Sequence, residues 1–396
     1  MKKSKVLFVC ILLVTLPRLW AVDFGLLLDQ TAGFGGYGSD TSFDYSGILI
    51  PRFSALLGDN GDLFISAGLR AEYQDEFVLL PELLRTELVY RFGDAELRAG
   101  RMQYSDPLGF IAEGLFDGAR FSMDTDLGTF SIGVWYTGLL YKKRANITMT
   151  AKESQANFVK LNYSDFCNTY FAPQRVFSAL DWEHPLIAEL FRVNAGVLGQ
   201  FDLSGENKLH SQYFSARVTA PVSAFVISLG GCLELVEAEN KDIGIGLAGE
   251  LAAAWILPTV FSSRLSFLGR FSGGAADNSS ITAFLPLTTQ NQGEILKAKL
   301  SGLSMLSLDY TARILPSLSA SLAASYFIRS DLGTYVGFGT EGYFLGPEFF
   351  GRLLWGPVSD LQMSLGGGVF IPALGNAAPG ADMLWRVELG VIVSLY

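Results

Sequence analysis

The sequence predicts a closed antiparallel β-barrel of about eighteen strands, and three observations support this fold. Of the 396 residues, 49% are hydrophobic and only 17% are charged, with a mean hydropathy of +0.31, an unusual combination for a soluble globular protein. Beyond the first 21 residues there is no apolar run of roughly 18 residues, the length a spanning helix needs. Instead, apolar and polar residues alternate, and short connections alternate with long ones.

The first 21 residues have the layout of a secretory signal peptide. Three lysines precede the apolar stretch 6–16, and 17–21 forms a helix-breaking end. Lipoprotein signals place small residues before the cysteine, whereas Cys10 lies inside the apolar stretch, so we expect no lipid anchor. Cleavage after Ala21 would leave 22–396 as a single exported barrel domain.

The charge of the exported chain argues against a nucleic-acid partner. Without the signal it has 25 basic and 39 acidic residues, a formal charge of −14. The two remaining cysteines fall in a predicted loop (Cys167) and a predicted strand (Cys232). Neither a disulfide framework nor a zinc site is expected from such sparse cysteines.

Alternation with period two defines the strands. In 62–74 the apolar residues Leu63, Ile65 and Leu69 share one face, and Arg70 and Glu72 lie on the other. The same pattern recurs to the end of the chain, which is typical of half-apolar strands. The predicted strands are 22–32, 45–57, 62–74, 82–93, 95–104, 116–125, 128–141, 174–183, 190–202, 209–219, 222–237, 241–256, 260–272, 298–314, 317–330, 343–355, 360–371 and 383–396.

The connections differ in length on the two rims. From the second strand onward every other connection is tight, at 58–61, 93–94, 126–127, 221, 316 and 356–357. The intervening connections are often long, at 33–44, 105–115, 142–173, 273–297, 331–342 and 372–382. This asymmetry, with an even strand count, is how transmembrane barrels are built. Sixteen strands is the nearest alternative, and 33–44, 142–173 and 273–297 are expected outside the cell.

A soluble β-sandwich or propeller is the main competing fold. Its strands would usually be about 5–6 residues long, shorter than the segments predicted here. Aromatic residues also fall near the predicted strand ends, as in the girdles of membrane barrels. They are Tyr73, Tyr90, Phe92, Trp182, Phe214, Trp255, Tyr326, Trp355 and Trp385.

These features resemble bacterial outer-membrane β-barrels of the Gram-negative and spirochaete type. The last strand alternates apolar residues and closes on Tyr396, similar to the signal that the barrel-insertion machinery reads. The segment 98–121 contains Gly100-Arg101 and Phe116-Asp117-Gly118, similar to a Gly-Arg…Phe-Asp-Gly signature of large porins and alginate-export-type barrels. The resemblance covers about 24 of 396 residues. It implies eighteen strands and an outer-membrane location, although these glycines could equally serve close backbone approach.

On each strand, the residues that alternate with the apolar ones should line the lumen. It collects twelve arginines and seven acidic residues, so the lumen is expected to be basic in an acidic chain. The arginines are Arg70, Arg85, Arg91, Arg98, Arg120, Arg192, Arg217, Arg264, Arg270, Arg313, Arg352 and Arg386. The acids are Glu72, Glu87, Glu96, Glu234, Glu250, Asp309 and Glu388.

Two compatible interpretations of these charges remain open. Arginine–carboxylate pairs such as Arg70/Glu72 and Arg386/Glu388 would stiffen the wall. Alternatively, an excess of one sign inside a narrow channel would act as an electrostatic filter for anions.

Enzymatic signals are weak. The chain has two histidines, His184 in a predicted turn and His210 near Asp202, Ser204 and Ser211, and only His210 could belong to a catalytic group. No metal-ligand cluster, phosphate-binding loop or cofactor site is expected.

The sequence therefore predicts an outer-membrane pore for small hydrophilic solutes, with a weak preference for anions. Because the strand pattern begins at Val22, no N-terminal plug is expected, and 142–173 or 273–297 could fold inward to narrow the lumen. The alternatives are a surface adhesin or structural barrel with a blocked lumen, in which 142–173 binds partners, and a transporter of hydrophobic substrates.

Overall fold

The computed structural model describes residues 19–188, 190–205, 207–274, 279–332 and 342–395. Eighteen antiparallel strands form one sheet in which every strand pairs with its sequence neighbours and β18 pairs with β1. The strands are β1 Leu19–Tyr37, β2 Asp40–Leu57, β3 Gly61–Tyr73, β4 Phe77–Phe92, β5 Ala95–Ser105, β6 Glu113–Thr125, β7 Gly128–Tyr136, β8 Arg175–Ile187, β9 Phe191–Asp202, β10 Leu209–Val222, β11 Phe225–Ala238, β12 Gly244–Ile256, β13 Arg264–Ser272, β14 Leu303–Leu315, β15 Leu318–Arg329, β16 Phe344–Val358, β17 Leu361–Phe370 and β18 Leu384–Leu395.

Closure of the barrel rests on the ladder between the first and last strands, which runs from Leu26 opposite Leu395 to Tyr37 opposite Leu384. Lipid offers no water to backbone N–H and C=O groups, so a spanning sheet must close on itself. The predicted fold class and strand number are confirmed. The predicted signal peptide falls largely on residues 1–18 and the terminal aromatic is Tyr396, both outside the described residues.

The outer face of the barrel is apolar along its strands. Leu229 is 64% exposed, Leu322 64% and Ile132 57%, values that a water-soluble sheet would avoid and a lipid-covered one requires. Exposed aromatic pairs lie towards the strand ends, with Phe34 against Trp385 and Phe225 stacked on Trp255.

Several predicted boundaries are wrong. β7 ends at Tyr136 rather than at 141, and β14 begins at Leu303 rather than at 298. Two further differences have clear physical reasons. The predicted loop 33–44 is mostly strand, because β1 and β2 continue to a turn at Gly38, whose φ of +57° suits glycine. The predicted strand 82–93 begins earlier, at Phe77, and includes Pro81. In addition, a bulge opposite Ser66 shifts the register of β4, so Leu84 is buried rather than exposed to lipid.

The long connection 142–173 is partly helical, which the sequence analysis missed. It contains α1 (Lys142–Ala145), α2 (Ala151–Phe158) and α3 (Phe166–Tyr170). α2 begins with a capping box, in which Thr150 and Glu153 exchange hydrogen bonds. None of the helices in the described part of the chain is long and apolar enough to cross a membrane.

The ladder between β4 and β5 is interrupted in its upper half. It joins Thr86–Phe92 to 95–101, whereas β4 continues beside β3 as far as Phe77 and β5 continues beside β6 as far as Ser105. β4 and β5 therefore separate beyond Arg101, towards the loop rim. Pro81 lies on the free edge of β4, a kind of site where a strand tolerates its missing N–H. Gly100, at the vertex of this fork, has φ +114° and approaches the Thr86 carbonyl.

We predict that Gly100→Ala destabilises the barrel by about 1–3 kcal/mol, because its φ is strained for an L-residue and its Cβ would meet the Thr86 carbonyl. The urea midpoint of unfolding in detergent micelles, followed by heat-modifiable gel migration, measures the change. Gly231→Ala is the matched control, since a Cβ there meets nothing closer than 3.9 Å. Equal midpoints for the two variants would contradict the strain argument.

Candidate functional site in the barrel lumen

Three connections on the loop rim fold into the lumen: the β5–β6 connection (106–112), the β7–β8 connection (137–174) and the described part of the β13–β14 connection (273–274 and 279–302). They join inward-facing wall residues in one buried cluster that includes Trp135, Phe177 and Phe284. The sequence analysis expected the second and third to fold inward and missed the first, although its apolar Leu-Gly-Phe-Ile stretch at 108–111 was a signal.

The β5–β6 connection crosses the lumen to the opposite wall. The Leu108 carbonyl accepts a hydrogen bond from Arg217 on β10 (2.6 Å), and the Phe110 ring lies beneath the Arg270 guanidinium of β13 (5.0 Å). Asp106 organises the turn by accepting four backbone N–H groups, those of Leu108, Gly109, Ile111 and Ala112, at 2.8–3.1 Å. Burial raises the pKa of the Asp106 carboxyl, against the lowering effect of these donors.

Carboxylates of the wall hold the β13–β14 connection in place. Glu348 on β16 accepts the backbone N–H groups of residues 294–296 at 2.6–3.1 Å. Glu234 on β11 accepts the N–H of Leu285 (2.7 Å), whose carbonyl accepts from the Tyr213 hydroxyl (2.6 Å). These buried backbone groups would otherwise lack partners, so the wall positions the connection.

The β7–β8 connection is attached by charges and hydroxyls. Arg175, with no exposed side-chain surface, binds Glu153 of α2 (2.7 Å) and Asp202 of β9 (3.3 Å). Thr148 shares a hydrogen bond with Thr289 (2.6 Å), so the second and third connections support each other. The three connections pack against β5–β12 in one buried cluster, and residues 295–298 of the third pack against β14–β17 in a second.

The remaining lumen is lined by arginines. All members of the predicted set lie on the inward parity of their strands, and nine of the twelve arginines pair with carboxylates of the described residues. The densest network joins Arg85, Arg91 and Arg98 to Glu87 and Glu96. The other pairings are Arg70 with Glu82 and, at 4.0 Å, Glu72; Arg192 with Glu183; Arg217 and Arg270 with Glu250; and Arg352 and Arg386 with Glu388.

Three arginines have no carboxylate partner among the described residues: Arg120, Arg264 and Arg313. Arg120 donates to the Ser131 hydroxyl (3.0 Å), and its Nε is buried without a partner in the described structure. Arg120 lies directly opposite Arg98 in the β5–β6 ladder. Arg313 is exposed near the turn rim, where it donates to the Pro316 carbonyl (2.7 Å).

The sequence count of lumen charges is incomplete. The wall also turns Asp44, Glu82, Asp181 and Glu348 inward, and each contacts a lumen arginine, a buried tyrosine or an in-folded connection. Asp44 was assigned to a loop, and the bulge that moves Leu84 inward also changes the facing of Glu82. The lumen is therefore closer to neutral than twelve arginines against seven acids suggested.

Two cavities lie on the arginine side. One, of about 370 Å³ near the turn rim, is lined by Arg85, Arg91, Arg98, Asp23 and Phe64 among others. The other, of about 310 Å³ near the loop rim, brings Lys143 and Lys297 of the in-folded connections against wall residues. Those wall residues include Asp44, Glu72 and Arg386.

The candidate catalytic histidine is not arranged for catalysis. His210 lies on the outward parity of β10, where its Nδ1 accepts the backbone N–H of Asp202 (3.1 Å) and its ring contacts Phe201. Ser211 lies on the opposite, inward face of the same strand and is fully buried. Among the described residues, no cluster of His, Cys, Asp or Glu is placed to hold a metal ion.

We predict that Glu348→Ala releases the β13–β14 connection, because three backbone N–H groups lose their acceptor. Limited proteolysis of the folded barrel should show new cleavage between residues 288 and 301, faster than in the unaltered protein. Asp309→Ala is the control, since the Asp309 carboxylate accepts a hydrogen bond from the Ser307 hydroxyl on the same strand and none from the described part of the β13–β14 connection. Unchanged cleavage in Glu348→Ala would show that apolar packing alone holds the connection.

Comparison with solved structures finds barrels of the same architecture. The chain is similar to Pseudomonas aeruginosa OccK2 (OpdF) in complex with glucuronate, with a TM-score of 0.63, 11% identity and coverage of 95% of this chain and 98% of that one. The P. aeruginosa outer membrane protein OpdK matches with a TM-score of 0.62 and 12% identity over 95% and 99% of the two chains; OpdK with vanillate matches at 0.59 and 11%, over 94% and 98%. No protein-family model and no curated protein sequence matches the chain. The resemblance to large outer-membrane barrels is thus confirmed for the fold.

Proposed function

We propose that this chain is a pore of the bacterial outer membrane through which small hydrophilic solutes pass. The observation that carries the proposal is the charged lumen wall facing three in-folded connections, with cavities lined by charged residues on the arginine side of an apolar-faced barrel. Charged and polar groups lining a constriction at close range determine which solutes enter.

The outer-membrane location is supported by the exposed apolar belt and the alternation of short and long connections. In this topology the rim with the Gly38 turn, α1–α3 and the β13–β14 connection faces outward from the cell, and Leu19 and Leu395, at the two ends of the described barrel, face the periplasm. The outer-membrane lipid and the insertion machinery, which would read the strand ending at Tyr396, are the proposed partners.

We further propose that the pore has a weak preference for anions. Nine of the arginines are neutralised by pairing, so wall stiffening explains most of them, and selectivity would depend on the few without a carboxylate. Lys297, in the lining of the outer cavity, adds a positive charge that has no ion pair among the described residues, whereas Lys143 there pairs with Glu72. The similar barrels OccK2 and OpdK were crystallised with glucuronate and vanillate, both carboxylates, which supports an anionic solute here.

A surface adhesin or structural barrel is the second candidate. The in-folded connections bury a large apolar cluster inside the lumen, and Phe158 and Tyr163 of the β7–β8 connection are 82% and 61% exposed, available to a partner.

Reconstitution into liposomes separates the two candidates. We expect folded protein to conduct ions and to admit small hydrophilic solutes, because the charged side of the lumen stays hydrated. A barrel that shows heat-modifiable migration yet conducts nothing would exclude the pore and favour the adhesin.

We predict that Arg98→Gln/Arg120→Gln shifts the reversal potential in a salt gradient towards cations, because Arg120 has no ion-paired carboxylate among the described residues and lies opposite Arg98 in the β5–β6 ladder. Arg313→Gln is the control, since this rim charge lies in water and is screened over about 8 Å at physiological salt. A double variant with unchanged potential and intact conductance would leave these arginines as supports of the wall.

A further inference from the structure

The β12–β13 turn differs from the other turns on the same rim. It spans the seven residues 257–263, whereas the other connections between strands on the turn rim have two or three. From Leu251 to Ser263 the sequence carries no charged residue. The tip of the turn holds Val260, which is 96% exposed and the most exposed large apolar side chain in the described part of the chain, and Phe261, which is 47% exposed. Adjacent exposed apolar residues of this kind mark a contact with a partner or a membrane.

The turn satisfies many of its own polar groups. The Thr259 and Ser263 hydroxyls share a hydrogen bond (2.6 Å), and the N–H of Leu257 donates to the Ser263 carbonyl (2.9 Å). The N–H of Thr259 donates to the Leu257 carbonyl (2.8 Å), and that of Ser262 donates to the Thr259 carbonyl (3.3 Å). Pro258 has no N–H to satisfy. The turn therefore needs few hydrogen bonds from water, as a segment at the edge of the lipid layer requires.

The apolar surface of the turn is continuous with the lipid-facing belt. β12 leads into the turn through Trp255, which stacks on Phe225 of β11, and through the exposed Ile256. The hairpins on either side also end in exposed apolar residues, Val222 of β10 and Leu315 of β14. Aromatic girdles mark the boundary between the hydrocarbon layer and the head groups. A turn that extends beyond the girdle therefore reaches the level of the head groups.

The charges around the turn suit a phospholipid leaflet. The charged residues next to it on β13 and β14 are Arg264 and Arg313, both exposed at the rim and neither with a carboxylate partner among the described residues. Arg313 also holds the turn, since its backbone N–H donates to the Phe261 carbonyl (2.8 Å). The β2–β3 and β4–β5 turns, by contrast, carry the exposed Asp59 and Asp94. Phosphate head groups attract cationic side chains and repel carboxylates, so the β12–β13 side of the rim is the better match.

We propose that residues 256–261 form a membrane foot, whose tip inserts into the glycerol and head-group layer of the leaflet on the turn rim. The occupant is glycerophospholipid, with Val260 and Phe261 against the upper part of the acyl chains. In the orientation proposed above this is the periplasmic leaflet. The foot holds the β12–β13 side of the barrel deeper in the membrane than the side with the short, acidic turns. Lipid contact of the foot does not depend on whether the lumen conducts solutes.

The test places a fluorophore at the tip of the foot in the full-length protein, folded in vesicles of phosphatidylethanolamine and phosphatidylglycerol. Val260→Cys carries the polarity-sensitive dye NBD in a Cys167→Ser background, and Cys232 is buried, so it stays unlabelled. Asp59→Cys is the aqueous reference, and Leu229→Cys, on the lipid-facing side of β11, is the lipid reference. Lipids with a nitroxide on the head group or high on the acyl chain quench the dye from the membrane, and iodide on both sides of the membrane quenches it from water. Heat-modifiable migration confirms that each variant is folded.

We expect the lipid nitroxides to quench the label at position 260 several-fold more strongly than the label at position 59, with emission at shorter wavelength. Phe261→Asp should lower this quenching towards the aqueous reference, because it places a charge in the tip, whereas Phe261→Leu should preserve it. Quenching at position 260 by iodide as strong as at position 59, without quenching by the lipid nitroxides, would overturn the foot and leave the tip to water or to a protein partner. Conductance is measured in parallel: a barrel that conducts nothing but keeps the lipid quenching retains the foot and loses the proposed pore.

Discussion

The need to pair every backbone N–H and C=O inside a lipid layer governs this structure. It explains why the first strand pairs with the last, from Leu26 opposite Leu395 upward. It also explains a place in the described part of the sheet where side chains supply the partners. Above Gly100 the β5–β6 hairpin leaves the wall, and two tyrosine hydroxyls and one guanidinium take over the carbonyls of β4. Closure by backbone and closure by side chains are two solutions to the same constraint.

The inside of the barrel follows a second rule, that buried polar groups need partners. Connections that fold inward bring bare backbone N–H groups with them, and the wall supplies carboxylates at matching places, Glu348 and Glu234 for the β13–β14 connection. The wall charges thus have at least two tasks. Some hold the connections, many neutralise each other, and a small remainder, such as Arg120, has no ion-pair partner among the described residues.

The sequence predicted the fold well because period-two alternation reports which face meets lipid, and lipid contact is a local property of each residue. Strand number and rim asymmetry followed from the same pattern. The predicted strand boundaries were wrong where local sequence signals conflict with the pairing in the sheet. Pro81 and the glycines at 35–38 indicated the ends of strands, yet they lie in strands or in the turn between them. A proline in a strand interior is a usable signal of an edge, and here it marked the fork.

The lumen could be predicted only in part. The alternation of residues along each strand placed the arginines on the inner face. It could not identify their ion-pair partners, because these lie on neighbouring strands and in connections that have no regular sequence pattern. Arg101 is the clearest omission. Arg101 lies at an outward-facing position of β5, yet it is only 5% exposed. The β5–β6 hairpin bends away from the wall there and Leu139 covers Arg101, and both features depend on tertiary structure.

The substitution of side chains for a strand also imposes an order on assembly. Tyr163 and Tyr170 reach β4 only when β7 and β8 bracket the connection that carries them, some 80 residues further along the chain. Until that time the upper edge of β4, without an N–H at Pro81, must stay hydrated or be shielded by another protein. If strands enter the membrane one after another, the upper edge of β4 would enter before its side-chain partners are in place. Pairing of this edge would then be a separate, late step of biogenesis.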